Sequence, residues 1–566
     1  MTSSVADHPT KPAARSWIHG AWGGLAIFAL ASLAQVPLVR SGHVALDEGQ
    51  LTMIGHRLVE GQYLYRDVYT GIFPGIYWIT ELLFRMFGVD ILVTRYAQLV
   101  FNGLLAVSVW RFTLRLASPA AAWMAVLATT SLVYISFPGL TFLSYSTVSL
   151  LCAMEAALAA TDYAASGRTR DGVRCGLLLA ATTIVKQNYG VLALVSIALG
   201  LAWSRPWGPL RERSLWRTAA PVIWSGLAVA AVAGGYLLAT QTFGAFWEAT
   251  VLTLFGSQLT AYNQPMPPLF GEHTVHDGIF VFLYTPGILF CYLLIGIPVA
   301  ARAAFLSVIS VAVRVGYGAA WLALISAPYI LWSRLRRDRD SEAANRPSPA
   351  RILVPFSFVM FFGIFPSAIW SHLAAVLPGQ IPLLAALADD AGRAVGMMSF
   401  LKPMRRSLAL GFTGLATVAV IVACTKVASD VRKWNPNDFG VPHASLRVSD
   451  RDRHMFEKAL AFLRDCARDD ETVFVAPDMP ILYVASGKKN PTPYDLVVPG
   501  DVRDEAMVRD IEAAGTRCVV LADMMYPQFQ PFPVLFPKLN GFLRQSFEVQ
   551  GSVTYEKLRW EFLVRR

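Results

Sequence analysis

The chain has 566 residues, 55% of them hydrophobic and only 16% charged, and its mean hydropathy is +0.45. That composition excludes a water-soluble globular protein and indicates a polytopic α-helical membrane protein. The formal net charge of +10 does not make nucleic acid a partner, because the Arg and Lys residues cluster in short loops between apolar runs, the pattern that sets orientation in a membrane.

Apolar runs approaching the ~20 residues needed to cross a bilayer recur from residue 21 to residue 424 and then stop. Residues 21–39 follow Lys11 and Arg15 and also read as a signal peptide, whose removal would leave the later spans unchanged. Short loops rich in Lys and Arg stay in the cytoplasm, so the basic loops assign the compartments. The N-terminus, Arg111 with Arg115, the group Arg168, Arg170 and Arg174, residues 204–217 and 334–351, and the set Arg393, Lys402, Arg405 and Arg406 mark the inner side. Residues 40–90, 137–141, 186–189, 240–278, 365–372 and everything after 425 then fall on the outer side. This walk predicts about 11 crossings, or about 13 if the 279–332 stretch, which holds Arg314, passes three times.

Within the long first outer loop, "IFPGIYWITELLFRMF" (72–87) predicts an interfacial helix, with Trp and Tyr suited to that depth. Between the inner loops at 174 and 204 lie two short apolar halves, 175–185 and 190–203, broken by "KQNYG". Such a pair reaches little beyond the opposite face, which places Lys186 at or just below the outer interface. Residues 1–424 are thus read as the membrane domain and 425–566 as an extracytoplasmic domain. In the latter, helical periodicity at 452–467 and 505–514 and buried-strand patterns at 471–477 and 516–523 predict an α/β layer. Cys152, Cys175, Cys291 and Cys424 lie in or beside apolar runs and behave as small hydrophobes; Cys466 and Cys518 belong to the tail and leave a disulfide open.

Asp47 and Glu48 open the first outer loop, followed by His56, Arg57, Glu60, Arg66 and Asp67. A carboxylate partly dehydrated at a membrane interface has its pKa pushed up, which suits a general base, although any loop outside the membrane is polar. Lys186, between two apolar halves, costs free energy unless it binds an anion or reaches water; snorkelling is the alternative. Gln187, Asn188 and Tyr189 add neutral hydrogen-bonding groups suited to a sugar or a phosphate. His372 of "FPSAIWSHL" (365–373) arrives on the same face, where a lone histidine is commonly structural. The two histidines of "HTVH" (273–276) lack companion ligands in a fixed pattern, so no metal site is assigned. The sequence has no Gly-rich phosphate loop, Walker pattern or GxSxG elbow, which argues against a nucleotide-driven pump or a serine hydrolase.

In order and spacing, five segments resemble the GT-C class of integral-membrane glycosyltransferases, in its bacterial branch near the aminoarabinose and protein-mannosyl transferases. They are "LDEGQLTMIGHRLVEGQYLYRDVYTGIFPGIYW" (46–78), "FGVDILVTRYAQ" (87–98), "TTIVKQNYG" (182–190), "FPSAIWSHLAAVLP" (365–378) and "PILYVASGKKNPTPYDLVVPG" (480–500). The resemblance implies a bacterial inner-membrane enzyme that moves a sugar from a polyprenyl-phosphate donor to an acceptor hydroxyl on a glycan, glycolipid or protein at the outer face. Direct displacement would invert the anomeric carbon. Asp47, with Glu48 beside it, falls at the place of the catalytic base or acceptor-orienting group, and Lys186 and Arg95 at basic positions that face the donor phosphate. Tyr65, Asp67, Gln187, Asn188 and His372 are assigned to substrate binding, and the "SGKKNPTPYD" loop (486–495), with Lys488 and Lys489, is expected to close over the site. No cofactor is implied, and a divalent cation on the carboxylate pair stays open. One departure stands out: where relatives often carry Arg and Asp within "FPxxxxxHL", this chain has Ser367 and Ile369, so any phosphate or sugar contact made by those side chains is absent.

A transporter or flippase of lipid-linked sugars would also need interfacial charge. It would place ionisable groups near the bilayer midplane and show repeated halves; the sequence shows no repeat, and apart from Arg314 its charges gather on one face. A polysaccharide polymerase or ligase with a lipid-linked oligosaccharide donor is the remaining alternative.

Overall fold

The structure, a computed structural model, describes residues 20–43, 46–261, 263–266, 302–339, 347–396, 405–468, 471–500, 503–522, 531–555 and 558–566. Lys11, Arg15, His273, His276, Cys291, Lys402, residues 279–301 and the side chain of Arg314 lie outside that description.

The chain is a multi-pass helical membrane protein with a C-terminal α/β region. Its helices in order are α1 (Ala21–Gln35), α2 (Asp47–Val59), α3 (Gly75–Phe87), α4 (Ile91–Leu114), α5 (Pro119–Ile135), α6 (Tyr145–Ser166), α7 (Thr169–Val185), α8 (Gln187–Ser204), α9 (Leu215–Ala239) and α10 (Phe243–Trp247). Beyond the π-helical turns Glu248–Leu252 and Leu254–Gln258 and the short helical turn Leu259–Ala261 come α11 (Arg302–Arg339), α12 (Ala350–Met360), α13 (Trp370–Gly396) and α14 (Arg405–Trp434). Eight of the described helices are long and apolar enough to cross a membrane, and Pro119–Ile135 and Ala350–Ile364 are shorter apolar helices. α11 runs unbroken through residues 302–339, so the described part of the doubtful stretch makes one pass and not several.

Local chemistry sets the helix boundaries. Asp90 accepts a hydrogen bond from the Leu92 amide at 2.7 Å and starts α4, while Ser118 caps α5 ahead of Pro119, the position where a missing N–H costs nothing. Ser144 caps α6, which stops at Gly167 in the left-handed conformation (φ 65) that glycine adopts without steric penalty. α6 is the central helix: Ala153, Ala156, Ala157, Ala159 and Ala160 are all buried, and such small side chains let α4, α7 and α8 approach its backbone closely.

The loops sorted by charge gather at two opposite ends. At one end Gln187 donates to the Gly71 carbonyl, Asn188 reaches the Phe365 carbonyl, and Gln264 pairs with Pro366 and Ala368 through its backbone. At the other, Ser118 bonds Asp389, Arg115 pairs with Asp162, and the Asp390 carboxylate binds both Arg334 and Arg337.

The break at Lys186 is shorter than the sequence suggests. Only Lys186 is extended (φ −152, ψ 110), and "QNYG" forms the first turn of α8. A Cβ on Gly190 would lie 2.2 Å from the Thr183 hydroxyl oxygen, so the two helices meet closely enough to be joined by one residue. α3 forms as expected, leaving Leu82, Met86 and Phe87 exposed while Trp78 packs edge-on against Tyr236.

The C-terminal region begins with the hairpin β1 (Asn437–Val441) and β2 (Ala444–Val448) and the helix α15 (Asp450–Cys466). A four-stranded sheet follows in the order β3-β4-β6-β5, with β3 (Val473–Ala476) parallel to β4 (Cys518–Ala522), and β5 (Phe547–Tyr555) and β6 (Leu558–Arg565) antiparallel. Helices α16 (Ile481–Ser486), α17 (Asp504–Ala513) and α18 (Pro537–Ser546) accompany it. α15, β3, β4 and α17 correspond to the elements read from sequence; the β1–β2 hairpin and β5–β6 are additional. Cys466 and Cys518 form a disulfide that ties the end of α15 to the start of β4.

Candidate functional site

α2 is the element that presents the first acidic pair, and buried arginines hold it near both ends. At its start, Arg95 of α4 donates through Nε and Nη2 to the two oxygens of Glu48, at 2.6 and 2.7 Å. Its remaining donors meet the carbonyls of Val39, Ser41 and Gly42 at 2.8–3.0 Å. A guanidinium has five N–H donors, and here all five are engaged. Both side chains are fully buried.

At the other end of α2, Arg57 donates to Gln62, to the carbonyls of Asp67 and Thr492, and to the Asp495 carboxylate at 2.8 Å. Tyr69 adds a backbone bond to Pro493 and a ring contact with Tyr494. The 486–495 loop therefore docks on the first outer loop. Lys488 turns away, burying its ammonium against the Ala467 carbonyl, while Lys489 stays exposed. The expected pair of loop lysines is thus split between two directions.

Asp47, the first residue of α2, differs from its neighbour. Its side chain is open to water and, among the described residues, has no ion-pair partner. The protein mass around it desolvates the carboxyl and pushes its pKa up to about 6. Asp47 and Tyr145, the first residue of α6, lie close enough to interact electrostatically.

Lys186 stands against the Tyr145 ring. Its Nζ donates to Ser146 Oγ at 2.8 Å and sits over two aromatic faces, 4.0 Å from the Tyr189 ring centroid and 5.1 Å from that of Tyr145. Lys186 is 9% exposed, and no carboxylate among the described residues pairs with it. His372 is close enough for the two charges to interact, and its Nδ1 is bound to the Ser367 carbonyl. The N-termini of α6 and α8 both meet at this lysine, and helix N-termini favour negative charge.

The structure therefore brings Asp47 and Lys186 each within reach of Tyr145, and His372 within reach of Lys186. Gln187 is committed to Gly71 and Phe73, and Asn188 to Phe365. Two of the expected substrate residues are occupied locally: Tyr65 donates to the Ile72 carbonyl, and Arg66 grips Asp67, holding that carboxyl below its usual range. Arg95, expected to face a phosphate, has no donor left for one, and Glu48 has both oxygens in the same clamp. Asp47 and Glu48 consequently do not form a two-carboxylate ligand set for a cation, and no group of three or more His, Cys, Asp or Glu among the described residues is arranged to hold a metal ion. Sequence reasoning missed Tyr145 and Ser146, and it saw in Tyr189 a hydrogen-bonding group, not a ring under a cation.

No protein-family model and no curated protein matches the chain. Among solved structures, the chain is similar over 96% of its length to 98% of ArnT from Cupriavidus metallidurans bound to undecaprenyl phosphate, with 14% identity and a TM-score of 0.56. It is similar also to the oligosaccharyltransferase of Archaeoglobus fulgidus (12% identity, 89% of this chain and 70% of that one, TM-score 0.47). The arabinosyltransferase EmbB from Mycobacterium smegmatis follows (15% identity, 83% and 45%, TM-score 0.42). The fold of the chain is that of GT-C glycosyltransferases.

Proposed function

We propose that the chain is a glycosyltransferase of the bacterial inner membrane that transfers a sugar from a polyprenyl-phosphate donor to an acceptor hydroxyl at the outer face. The observation that carries this reading is Lys186, set over two aromatic rings and without an ion-pair partner among the described residues, beside a Tyr145 that also lies within reach of Asp47. A buried ammonium without a counter-charge is costly on its own, and a donor phosphate supplies the missing anion. The likeness to a protein bound to undecaprenyl phosphate supports the same ligand class.

Asp47 takes the proton of the acceptor hydroxyl as its oxygen bonds to the anomeric carbon. The bond from that carbon to the phosphate oxygen breaks, and the electron pair leaves with the polyprenyl phosphate, whose charge Lys186 and the two helix N-termini balance. Displacement from the opposite face inverts the anomeric configuration. Arg95 and Glu48 act upstream of the chemistry by fixing the first turn of α2, and the C-terminal region beside α2 shapes access for the acceptor.

The test is mass spectrometry of envelope glycans from a strain lacking the chain, restored with the native sequence or with Asp47→Asn. A general base contributes roughly 10²- to 10⁴-fold, so the Asn variant is expected to give the glycan profile of the deletion. A native profile with Asn at position 47 removes Asp47 from the reaction.

A further inference from the structure

We infer that the Tyr145 hydroxyl contacts the sugar being transferred, beside its anomeric carbon, and so helps select the donor; this rests on the reading just proposed. In a displacement the acceptor oxygen, the anomeric carbon and the departing phosphate oxygen lie roughly in line. Asp47, proposed to take the acceptor proton, and Lys186, proposed to hold the phosphate, both lie within reach of Tyr145, so a sugar transferred between them passes beside that side chain. The Tyr145 ring is one of the two aromatic faces under the Lys186 ammonium, and its hydroxyl lies within electrostatic reach of Asp47 and of the Tyr77 and Tyr189 hydroxyls.

The neighbours of that hydroxyl are engaged differently. Tyr77 shares a hydrogen bond with Thr70 at 2.8 Å, and the Tyr189 oxygen is fully enclosed. Tyr145 is half-buried, and among the described residues its hydroxyl has no hydrogen-bond partner. A phenolic oxygen both donates and accepts, which suits a sugar hydroxyl or the ring oxygen. Ser144 caps α6 and so fixes where its first residue points, giving the hydroxyl a defined position.

The test uses the full chain in lipid nanodiscs and separates two quantities. One is the affinity for undecaprenyl phosphate, the carrier without a sugar. The other is the rate of transfer from the polyprenyl-phosphate-sugar lipid fraction of cells lacking the chain to an envelope glycan extract of the same cells. Tyr145→Phe keeps the ring and loses the hydroxyl. It is expected to bind undecaprenyl phosphate within about twofold of the native chain and to transfer at least about tenfold more slowly, the scale of one lost hydrogen bond to a sugar. Tyr145→Leu removes the aromatic face as well and is expected to weaken carrier binding too. Native transfer by the Phe variant overturns the inference. So does a loss of carrier affinity that matches the loss of rate, because the hydroxyl then serves the phosphate. Failure of the native chain itself to bind undecaprenyl phosphate overturns the proposed function along with it.

Discussion

Arg95 and Lys186 are two cations buried at the same end of the molecule, and they are opposites. Arg95 is 0% exposed and Lys186 9%, so burial barely distinguishes them. The difference lies in their bonds: five donors of Arg95 meet five protein acceptors, whereas Lys186 spends one hydrogen bond on Ser146 and rests on two rings. A saturated buried cation holds the protein together. Lys186 keeps N–H donors that no described residue takes up.

Three measurements break or sharpen this contrast, beginning with the largest effect. Arg95→Met leaves the Glu48 carboxylate buried without its partner, and breaking a buried pair from one side costs roughly 3–5 kcal/mol. The variant is expected to lose its monodisperse peak in size-exclusion chromatography after detergent extraction. A well-folded Met variant with weakened undecaprenyl phosphate binding would instead give Arg95 the role assigned to Lys186.

Lys186→Met should do the reverse. Its thermal midpoint is expected to stay level or rise, since a desolvated charge is removed, while affinity for undecaprenyl phosphate falls about 10- to 100-fold, the range of a charge-assisted hydrogen bond. Binding and melting measured on the same preparation decide the matter. A lower midpoint with intact affinity would make Lys186 structural.

The smallest and most graded effect is that of pH. Asp47 must be ionised to accept a proton, and its pKa is raised to about 6. The transfer rate is therefore expected to be flat above pH 6 and to fall by about tenfold per unit below it, read from a pH–rate profile over the range where the protein stays folded. A rate constant down to pH 4.5 would mean that no base titrating near 6 limits the transfer.

Much of this was legible in the chain itself. The helical class follows from hydropathy, and loops that the Arg and Lys content groups together contact one another. Asp47 and Lys186 stood out because ionisable groups beside apolar runs are expensive, which makes them conspicuous in a string of letters. Glu48 stood out for the same reason and Arg95 only through the family resemblance, yet a sequence shows charges and not the bonds that satisfy them; 47 residues separate this pair. Tyr145 was hidden for the opposite cause. Aromatic residues are common at interfaces, so nothing in its surroundings marks it until α2, α6 and α8 converge. The β5–β6 pair was missed because Phe547–Tyr555 buries only its Phe547 and Val553 positions and so lacks a clear hydrophobic stripe.

The bond between Arg57 and Asp495 carries a lesson for engineering. Both side chains lie in the interior, 438 positions apart, so a transplant that joins the helical part to a foreign tail inherits a guanidinium facing an empty seat. The two halves are exchangeable only as a matched set, and hybrids that keep residues 490–495 with their original outer loop are the ones expected to assemble.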